Sequence, residues 1–269
     1  AAGGSVLLGT LYPLFLDARN LGKISVGPPY FDSVFAPLMA PATFLMGVGP
    51  LARWKEARIP ELAMRLRWAA AIAVVSAILV PMVAGQWTPM KSFGYLLAFW
   101  VFAASITSVR ERLIAGAALD RSKLRQQPRG YWGMIAARVG IGVFIVGVTT
   151  VKGYEVERDV RMEVGDTVEV GGYTFKFEGV NDVAGPNYSA ARGTVVLTRN
   201  GKALRNLYPE KRHYPVQQST MTEADIDTGL FGDLYVSLGE PVGGGAWSVR
   251  VYSKPFITWI WGGCVLMAL

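Results

Sequence analysis

Long uncharged apolar stretches are the feature of this sequence that most limits its fold. A helix needs about 20 largely apolar residues to cross a bilayer. The chain offers six candidate spans, at residues 6–16, 31–51, 68–85, 90–109, 131–151 and 255–269. The first is partial, and the last is the start of a C-terminal transmembrane helix. Only 17% of the residues are charged, against about 25% in soluble domains. The sequence predicts a polytopic α-helical membrane protein with five to six spans.

Two of these stretches have irregular features. Pro37, Pro41 and Pro50 are expected to bend or end the second span, because proline removes a helical hydrogen bond. The first and last stretches reach the two ends of the chain, so we expect the chain to be a piece of a longer polytopic protein.

The basic residues cluster between candidate spans, although the net charge of +7 could also suggest nucleic acid. The clusters are Arg53, Lys55, Arg58, Arg65 and Arg67, and then Arg110, Arg112, Arg121, Lys123, Arg125 and Arg129. Such clusters are typical of cytoplasmic loops. We therefore expect a membrane-lipid environment and no nucleic-acid partner, with the segment after the fifth span on the outer side.

Residues 152–254 differ in kind from the apolar stretches. They contain 12 basic and 14 acidic residues and alternate between apolar and polar with the period of β-strands. The pairs "GG" at 171–172 and "NG" at 200–201 are typical of tight hairpin turns. Tyr173, Phe175 and Phe177 would share one strand face and supply a core. We predict three regions: transmembrane helices at 1–151, a small external antiparallel β domain (barrel or sandwich) at 152–254, and the start of a helix at 255–269.

The residue types for metal or nucleophilic chemistry are sparse. His213 is the single histidine and Cys264, in the last apolar stretch, is the single cysteine. A zinc site needs three or four ligands, so we predict no metal site and interpret His213 as a polar strand residue. Glu223, Asp225 and Asp227 could be paired acid–base carboxylates or a solvated strand edge, and the solvated interpretation is favoured. The catalytic residues are unknown.

Several linked motifs carry a family resemblance over essentially the whole chain. They are "LLGTLYPL", "KISVGPPYFDSVFAPLMAP", "YEVERDVRMEVGDTVEV", "YPEKRHY", "MTEADI" and "KPFITWIW". In this order they resemble the C-terminal half of the CcmF family of cytochrome c-type biogenesis proteins. A relative that serves haem attachment to nitrite reductase is also similar.

The resemblance implies a haem-handling subunit in the bacterial inner membrane, with its β domain in the periplasm. Family members act with CcmH as a haem lyase, a component of a holocytochrome c synthetase. They receive haem from the chaperone CcmE and take part in joining it covalently to apocytochrome c. The β domain is expected to help recruit CcmH or apocytochrome c.

Arg138 departs from the family pattern. The resemblance places a histidine ligand of haem b at this position, in "WGMIAARVG". A protonated guanidinium has no lone pair and cannot bind iron. Arg138 could bind a haem propionate, or extend towards the cytoplasmic face. Alternatively, this chain has lost haem b or binds its iron from elsewhere. Met134, one turn earlier, would share the same helix face.

Two other functions remain open from the residues alone. A haem or small-molecule permease would account for the interrupted second span, although the sequence shows no internal repeat. A non-catalytic membrane assembly scaffold would need only the helices and the β domain.

Overall fold

Six α-helices and twelve β-strands form the described part of this computed structural model, which comprises residues 2–19, 28–51, 59–115, 118–119 and 127–269. The helices are α1 (Ala2–Ala18), α2 (Pro28–Val48), α3 (Ile59–Val83), α4 (Pro89–Leu113), α5 (Arg129–Tyr154) and α6 (Ile257–Ala268). A 3-10 turn, Gly49–Leu51, follows α2. Part of the two predicted basic clusters lies outside the described residues. This part consists of Arg53, Lys55, Arg58, Arg121, Lys123 and Arg125.

Among the described residues, three helices are long and apolar enough to cross a membrane: α3, α4 and α5. The membrane class of the protein is therefore confirmed, but the predicted count of five to six spans is not. Pro37 and Pro41 lie inside α2 and do not end it, whereas Pro50 lies in the turn that follows.

Small side chains mediate the packing of α3 on α4. Ala69, Ala73 and Ala77 recur at every fourth position of α3 and are buried. Ala69 and Ala73 belong to one cluster with Trp100 and Val101 of α4. Because alanine adds little bulk, the two backbones approach closely, as is common between membrane helices.

Glycine allows still closer contact between α5 and α6. A Cβ atom on Gly263 would lie 2.7 Å from both the Gly140 carbonyl oxygen and the Phe144 nitrogen. Further along, a Cβ on Gly147 would lie 2.9 Å from the Ile260 nitrogen. Any larger residue at these points would force the helices apart.

The chain divides into two compact units, residues 1–145 with 263–269, and residues 146–262. The second unit contains all strands except the pair β1 (Ile114–Ala115) and β2 (Ala118–Leu119). Its strands are β3 (Val156–Met162), β4 (Thr167–Val170), β5 (Tyr173–Ala184), β6 (Ser189–Arg199), β7 (Lys202–Leu207), β8 (Glu210–Tyr214), β9 (Ser219–Glu223), β10 (Asp225–Asp227), β11 (Gly232–Gly243) and β12 (Ala246–Pro255).

Two antiparallel sheets form the β domain. One has the order β10-β11-β12-β3, and the other has the order β4-β5-β6-β8-β9, with β7 also paired to β6. The predicted hairpin turns are confirmed, because Gly171 and Gly172 and also Asn200 and Gly201 have positive φ angles. Side chains that alternate along the strands fill the space between the sheets.

The aromatic strand β5 supplies much of the domain core, as predicted. Phe175 and Phe177 are fully buried, and Tyr173 packs against the same cluster. Leu238 and Val249 come from the other sheet and are also fully buried. The core therefore joins the two sheets with large side chains.

Candidate functional site in the fifth helix

Helix α5 positions the one candidate ligand-binding residue that the sequence identified. It begins after Pro128, whose carbonyl oxygen accepts a hydrogen bond from Tyr131 N at 3.0 Å. Its 26 residues extend about 39 Å, enough to cross an apolar layer of about 30 Å. Arg138 is the single charged residue between Arg129 and Lys152.

The Arg138 side chain is half-buried and incompletely satisfied. Its Nη1 atom is buried and makes no hydrogen bond to the part of the chain that the structure describes. Leaving a buried polar group unpaired costs about 1–3 kcal/mol, and more for a charged group. An external hydrogen-bond acceptor at this atom would therefore be favourable.

Tyr131 lies on the same side of α5, two helical turns before Arg138. It is 6% exposed, and its hydroxyl oxygen is buried without a hydrogen-bond partner among the described residues. The Arg112 guanidinium lies over its ring, 4.3 Å from the centroid. Tyr131 also lies within electrostatic range of Arg138. Arg112 thus holds the Tyr131 ring in place, while the Tyr131 hydroxyl stays available for a hydrogen bond.

Ser105 of helix α4 is a third polar residue at the level of Arg138. The Phe102 ring of α4 covers Gly142, and Arg112 covers Tyr131, so the two helices run antiparallel. Ser105 lies three residues after Phe102 in α4, and Arg138 lies four residues before Gly142 in α5. Because the helices run antiparallel, both residues lie on the same side of the Phe102–Gly142 contact and at a similar distance from it. Ser105 is 4% exposed, and its hydroxyl has no partner in the described residues.

These groups suit an oxyanion better than a metal. The guanidinium donates hydrogen bonds and keeps its charge, and the two hydroxyls can donate or accept. None of them supplies the nitrogen or sulfur lone pair that haem iron prefers. Met134 lies one turn before Arg138 in α5, as the sequence predicted. Arg138 therefore fits a carboxylate such as a haem propionate, and its guanidinium cannot bind the iron.

Sequence reasoning identified Arg138 but missed Tyr131 and Ser105. The spacing of seven residues between Tyr131 and Arg138 was a usable signal, because it places both on one helix face. Ser105 gave no such signal, since its position depends on the pairing of α4 with α5.

In the β domain, His213 is an exposed residue of β8, which confirms the predicted polar strand position. Its Nδ1 atom lies 3.5 Å from Thr220 Oγ1. The neighbouring Glu210 is a more unusual residue, because it is only 6% exposed. Burial alone would raise its pKa, but hydrogen bonds from Arg212 and Arg192 outweigh burial, and the pKa is lowered.

The acidic trio is bound to basic and backbone groups. Asp227 Oδ1 accepts a hydrogen bond from Arg205 Nη1 at 2.8 Å, and Asp225 Oδ2 accepts one from Tyr208 N at 2.7 Å. Glu223 lies 3.5 Å from Arg212 Nη1. The three carboxylates lie on β9 and β10, each at the end of its sheet, and they remain partly exposed while Arg205, Arg212 and the Tyr208 N–H pair with them.

The outer face of the four-stranded sheet carries a polar groove of about 420 Å³. Its lining residues are Asp159, Thr222, Tyr235, Ser237, Leu238, Gly239, Ser248, Arg250, Tyr252 and Lys254.

Charge contacts organise this groove. Hydrogen bonds from Arg250 and Ser248 lower the pKa of Asp159. Burial and a hydrogen bond with Glu157 raise the pKa of Tyr252. The Lys254 ammonium lies 4.9 Å from the Tyr252 ring centroid. Since β3, β11 and β12 all contribute, the groove could not be identified before the strand order was known.

The helices and the two-sheet domain define an integral membrane protein that carries a β-sandwich. The family model CcmF_C, described as the CcmF C-terminal beta-sandwich, matches residues 153–255. Over 100% of this chain, the sequence is 44% identical to Cytochrome c-type biogenesis protein CcmF of Pseudomonas aeruginosa, and it covers 40% of that relative. The CcmF of Escherichia coli is 43% identical over 98% of this chain, with 40% of the relative covered.

Two further comparisons extend these matches. Cytochrome c-type biogenesis protein NrfE of Haemophilus influenzae is 32% identical over 98% of this chain and 40% of its own length. A solved structure of Cytochrome c Heme Lyase CcmF matches 99% of this chain and 42% of that chain, with a TM-score of 0.73 and 25% identity. The chain therefore contains the CcmF C-terminal beta-sandwich, and over its whole length it is similar to part of the CcmF proteins. It spans about two fifths of the length of the curated relatives it matches.

Proposed function

We propose that this chain is part of a haem-handling membrane subunit of cytochrome c maturation. The match to the Cytochrome c Heme Lyase CcmF structure over 99% of the chain carries this proposal. The subunit would take part in transferring haem from the chaperone CcmE and attaching it covalently to apocytochrome c. It would do so with CcmH, as a component of a holocytochrome c synthetase.

The proposed location is the bacterial inner membrane, with five to six spans in this chain. Helices α3, α4 and α5 support the multi-pass arrangement, as do the shorter apolar helices 36–51 and Ile257–Ala268. We propose helical membrane regions at 1–151 and 255–269, and a periplasmic β domain at 152–254. The basic residues 110 and 112 in the last turn of α4 support a cytoplasmic end there.

Gene deletion in the host tests the proposed function. Membranes of the deletion strain should lose covalently attached haem, measured by haem staining of denaturing gels, while apocytochrome c accumulates. Restoring the full-length gene should restore the stain. Unchanged covalent haem in the deletion strain would contradict the proposal. Loss of haem uptake into vesicles that contain no cytochrome c would instead support a permease.

We further propose that Arg138 binds a haem propionate, with the Tyr131 and Ser105 hydroxyls nearby. The buried and unpartnered Arg138 Nη1 supports this role. Replacing Arg138 by glutamine should lower the haem content of the purified full-length protein several-fold, as measured by pyridine haemochrome per mole of protein. Lysine should have a smaller effect, because it keeps the charge but loses the planar fork.

A matched substitution on the same helix face separates propionate binding from iron ligation. Met134→Leu should leave both the haem content and the Soret position unchanged. A shifted Soret band in Met134→Leu would assign the iron to the thioether. Unchanged haem in Arg138→Gln would remove Arg138 from the site.

The β domain is proposed to help recruit CcmH or apocytochrome c through its outer groove. Tyr235 and Tyr252 contact each other edge to face there, with centroids 5.3 Å apart, and aromatic side chains are common at protein interfaces. The double substitution Tyr235→Ala and Tyr252→Ala should weaken co-purification of CcmH or apocytochrome c with the full-length protein. Val216→Ser, on an exposed turn elsewhere in the domain, is the control. Equal recovery of both partners would contradict the role of the groove.

A further inference from the structure

The loop at residues 229–231, between β10 and β11, exposes two large apolar side chains. Leu230 and Phe231 are each 64% exposed. The two residues are consecutive in a mostly polar domain, and an exposed apolar patch marks a contact surface. The surroundings of this loop indicate what covers it.

The backbone of the 229–231 loop is fixed to the start of α6. Its three successive carbonyl oxygens accept hydrogen bonds from the Thr258 hydroxyl at 2.9 Å, the Trp259 indole at 3.0 Å and the Phe256 N–H at 3.0 Å. A polar backbone group in lipid must be satisfied within the protein. The carbonyls of this loop already meet that condition.

Aromatic contacts support the same attachment. The Phe231 ring meets the Phe256 ring edge to face at 5.8 Å, and Phe256 contacts Trp259 at 4.8 Å. Phe256 has a φ of 60° where β12 turns into α6. This conformation is rare for a bulky residue, and the hydrogen bond to Phe231 holds it.

The contact between α5 and α6 sets the level of the loop along α5. A Cβ on Gly147 would lie 2.9 Å from Ile260 N and 3.3 Å from Phe256 O. Gly147 precedes Lys152, the first charged residue beyond the apolar stretch of α5, by five residues, or about 8 Å of helix. The first turn of α6 therefore lies within the apolar length of α5.

Residues that favour the membrane–water interface lie close to the first turn of α6. The Trp259 indole is bound to the loop itself, and indoles favour the interface. Lys254 precedes α6 by three residues, and Lys152 lies in the last turn of α5. Lysine suits such a level, because its stem can lie along apolar groups while its ammonium stays in a polar region.

We propose that the 229–231 loop inserts the Leu230 and Phe231 side chains into lipid at the membrane interface. The loop thereby adds a lipid contact to the β domain beyond its two covalent connections to helices. This inference goes beyond the proposed haem function and does not depend on it.

Spin labels on the full-length protein in phospholipid nanodiscs test the proposal. Single cysteines would replace Leu230, Phe231 or Val216, in a background where Cys264 is alanine and cysteines outside this chain are also replaced. Val216 is the matched control, because it is 92% exposed in the turn between β8 and β9. Collision rates with oxygen, which dissolves in lipid, and with a water-soluble nickel chelate would be measured for each label.

Labels at 230 and 231 should show an oxygen-to-nickel collision ratio several-fold higher than the label at 216. Equal ratios at all three positions would place the loop in water and overturn the proposal. Low collision rates with both reagents would mean that protein covers the loop, and would also overturn it. If one loop variant fails to fold, the label at the other loop position still decides the outcome.

Discussion

The β domain and helix α3 bury different kinds of side chain. In the β domain, large residues such as Phe175 and Phe177 are fully buried. In the helices, alanines such as Ala69 and Ala73 are buried, while Leu79 is 53% exposed. Water drives large apolar groups into a core, but lipid is as apolar as leucine and gives no such drive. The solvent around each region accounts for the difference.

The contacts that hold each region together differ for the same reason. In the β domain, stability depends mainly on the volume of the side chains between the sheets. In the helices, it depends on how closely two backbones approach, as where Gly140 meets Gly263. Removing bulk should therefore damage the β domain, and adding bulk should damage the helix contacts.

The largest expected effect comes from emptying the β-domain core. Phe177→Ala should lower the free energy of unfolding of this domain by about 3–5 kcal/mol, because it leaves a cavity. Proteolysis of the detergent-solubilised full-length protein across a urea titration measures the change. The control Leu79→Ala, on an exposed face of α3, should change stability by about 0.5 kcal/mol or less. Equal losses in both variants would contradict the comparison.

Two adjacent glycines in α6 test whether added bulk damages a helix contact. Gly263→Ala should destabilise the α5–α6 contact by about 1–3 kcal/mol, because its Cβ would meet the backbone of both Gly140 and Phe144. Gly262→Ala should be neutral or mildly stabilising, since a Cβ there meets no atom within 4 Å. Thermal unfolding in detergent compares the two. A Gly263→Ala variant as stable as Gly262→Ala would show that the close approach is not needed.

The buried Glu210 tests how far charge contributes in the β domain. Glu210→Gln should cost about 1–2 kcal/mol at neutral pH, allowing for the partial exposure of its arginine partners. Because the folded-state pKa is lowered from 4.5, this stabilisation is fully present above pH 4.5. It is lost as the pH falls through the lower folded-state value.

Urea midpoints of the parent and Glu210→Gln should therefore differ most near neutral pH and converge in acid. A difference that persists unchanged in acid would mean that shape, and not the carboxylate charge, is what Glu210 provides.

The smallest expected effect concerns an exposed ion pair of the same domain. Asp227→Asn should cost about 0.5 kcal/mol, because the Arg205 side chain is 47% exposed and water screens the pair. The urea midpoint of the β domain measures it, with added salt reducing the difference further. A cost as large as that of Glu210→Gln would show that exposure does not decide the strength of these pairs.

Some features could be predicted from short stretches of sequence. The apolar runs predicted α3, α4 and α5, and the alternation of residues predicted strands such as β5. The turns at 171–172 and 200–201 followed from residues that tolerate a positive φ. The prolines were predicted to bend or end the second span, but Pro37 and Pro41 do not end α2. A helix can retain an internal proline where neighbouring groups compensate for the lost hydrogen bond.

Only the residues of the candidate site that lie on one helix could be predicted from the sequence. Arg138 was visible as a charge inside an apolar run, and Tyr131 could have been found from its spacing on the same helix. Ser105 and the outer groove were not predictable, because they depend on which helix or strand lies alongside. The pairing of Asp225 and Asp227 with Arg205 was missed for the same reason.

The sequence by itself determined the membrane character of the helices, the strands with their tight turns, and the family resemblance. The first two follow from composition or backbone preference over a few adjacent residues, and the resemblance follows from several motifs in a fixed order along the chain. Only the tertiary structure decided that β7 and β8 both pair with β6, that Gly140 meets Gly263, and that the 229–231 loop is bound to α6. Those contacts join residues distant in sequence, and they depend on how whole elements pack.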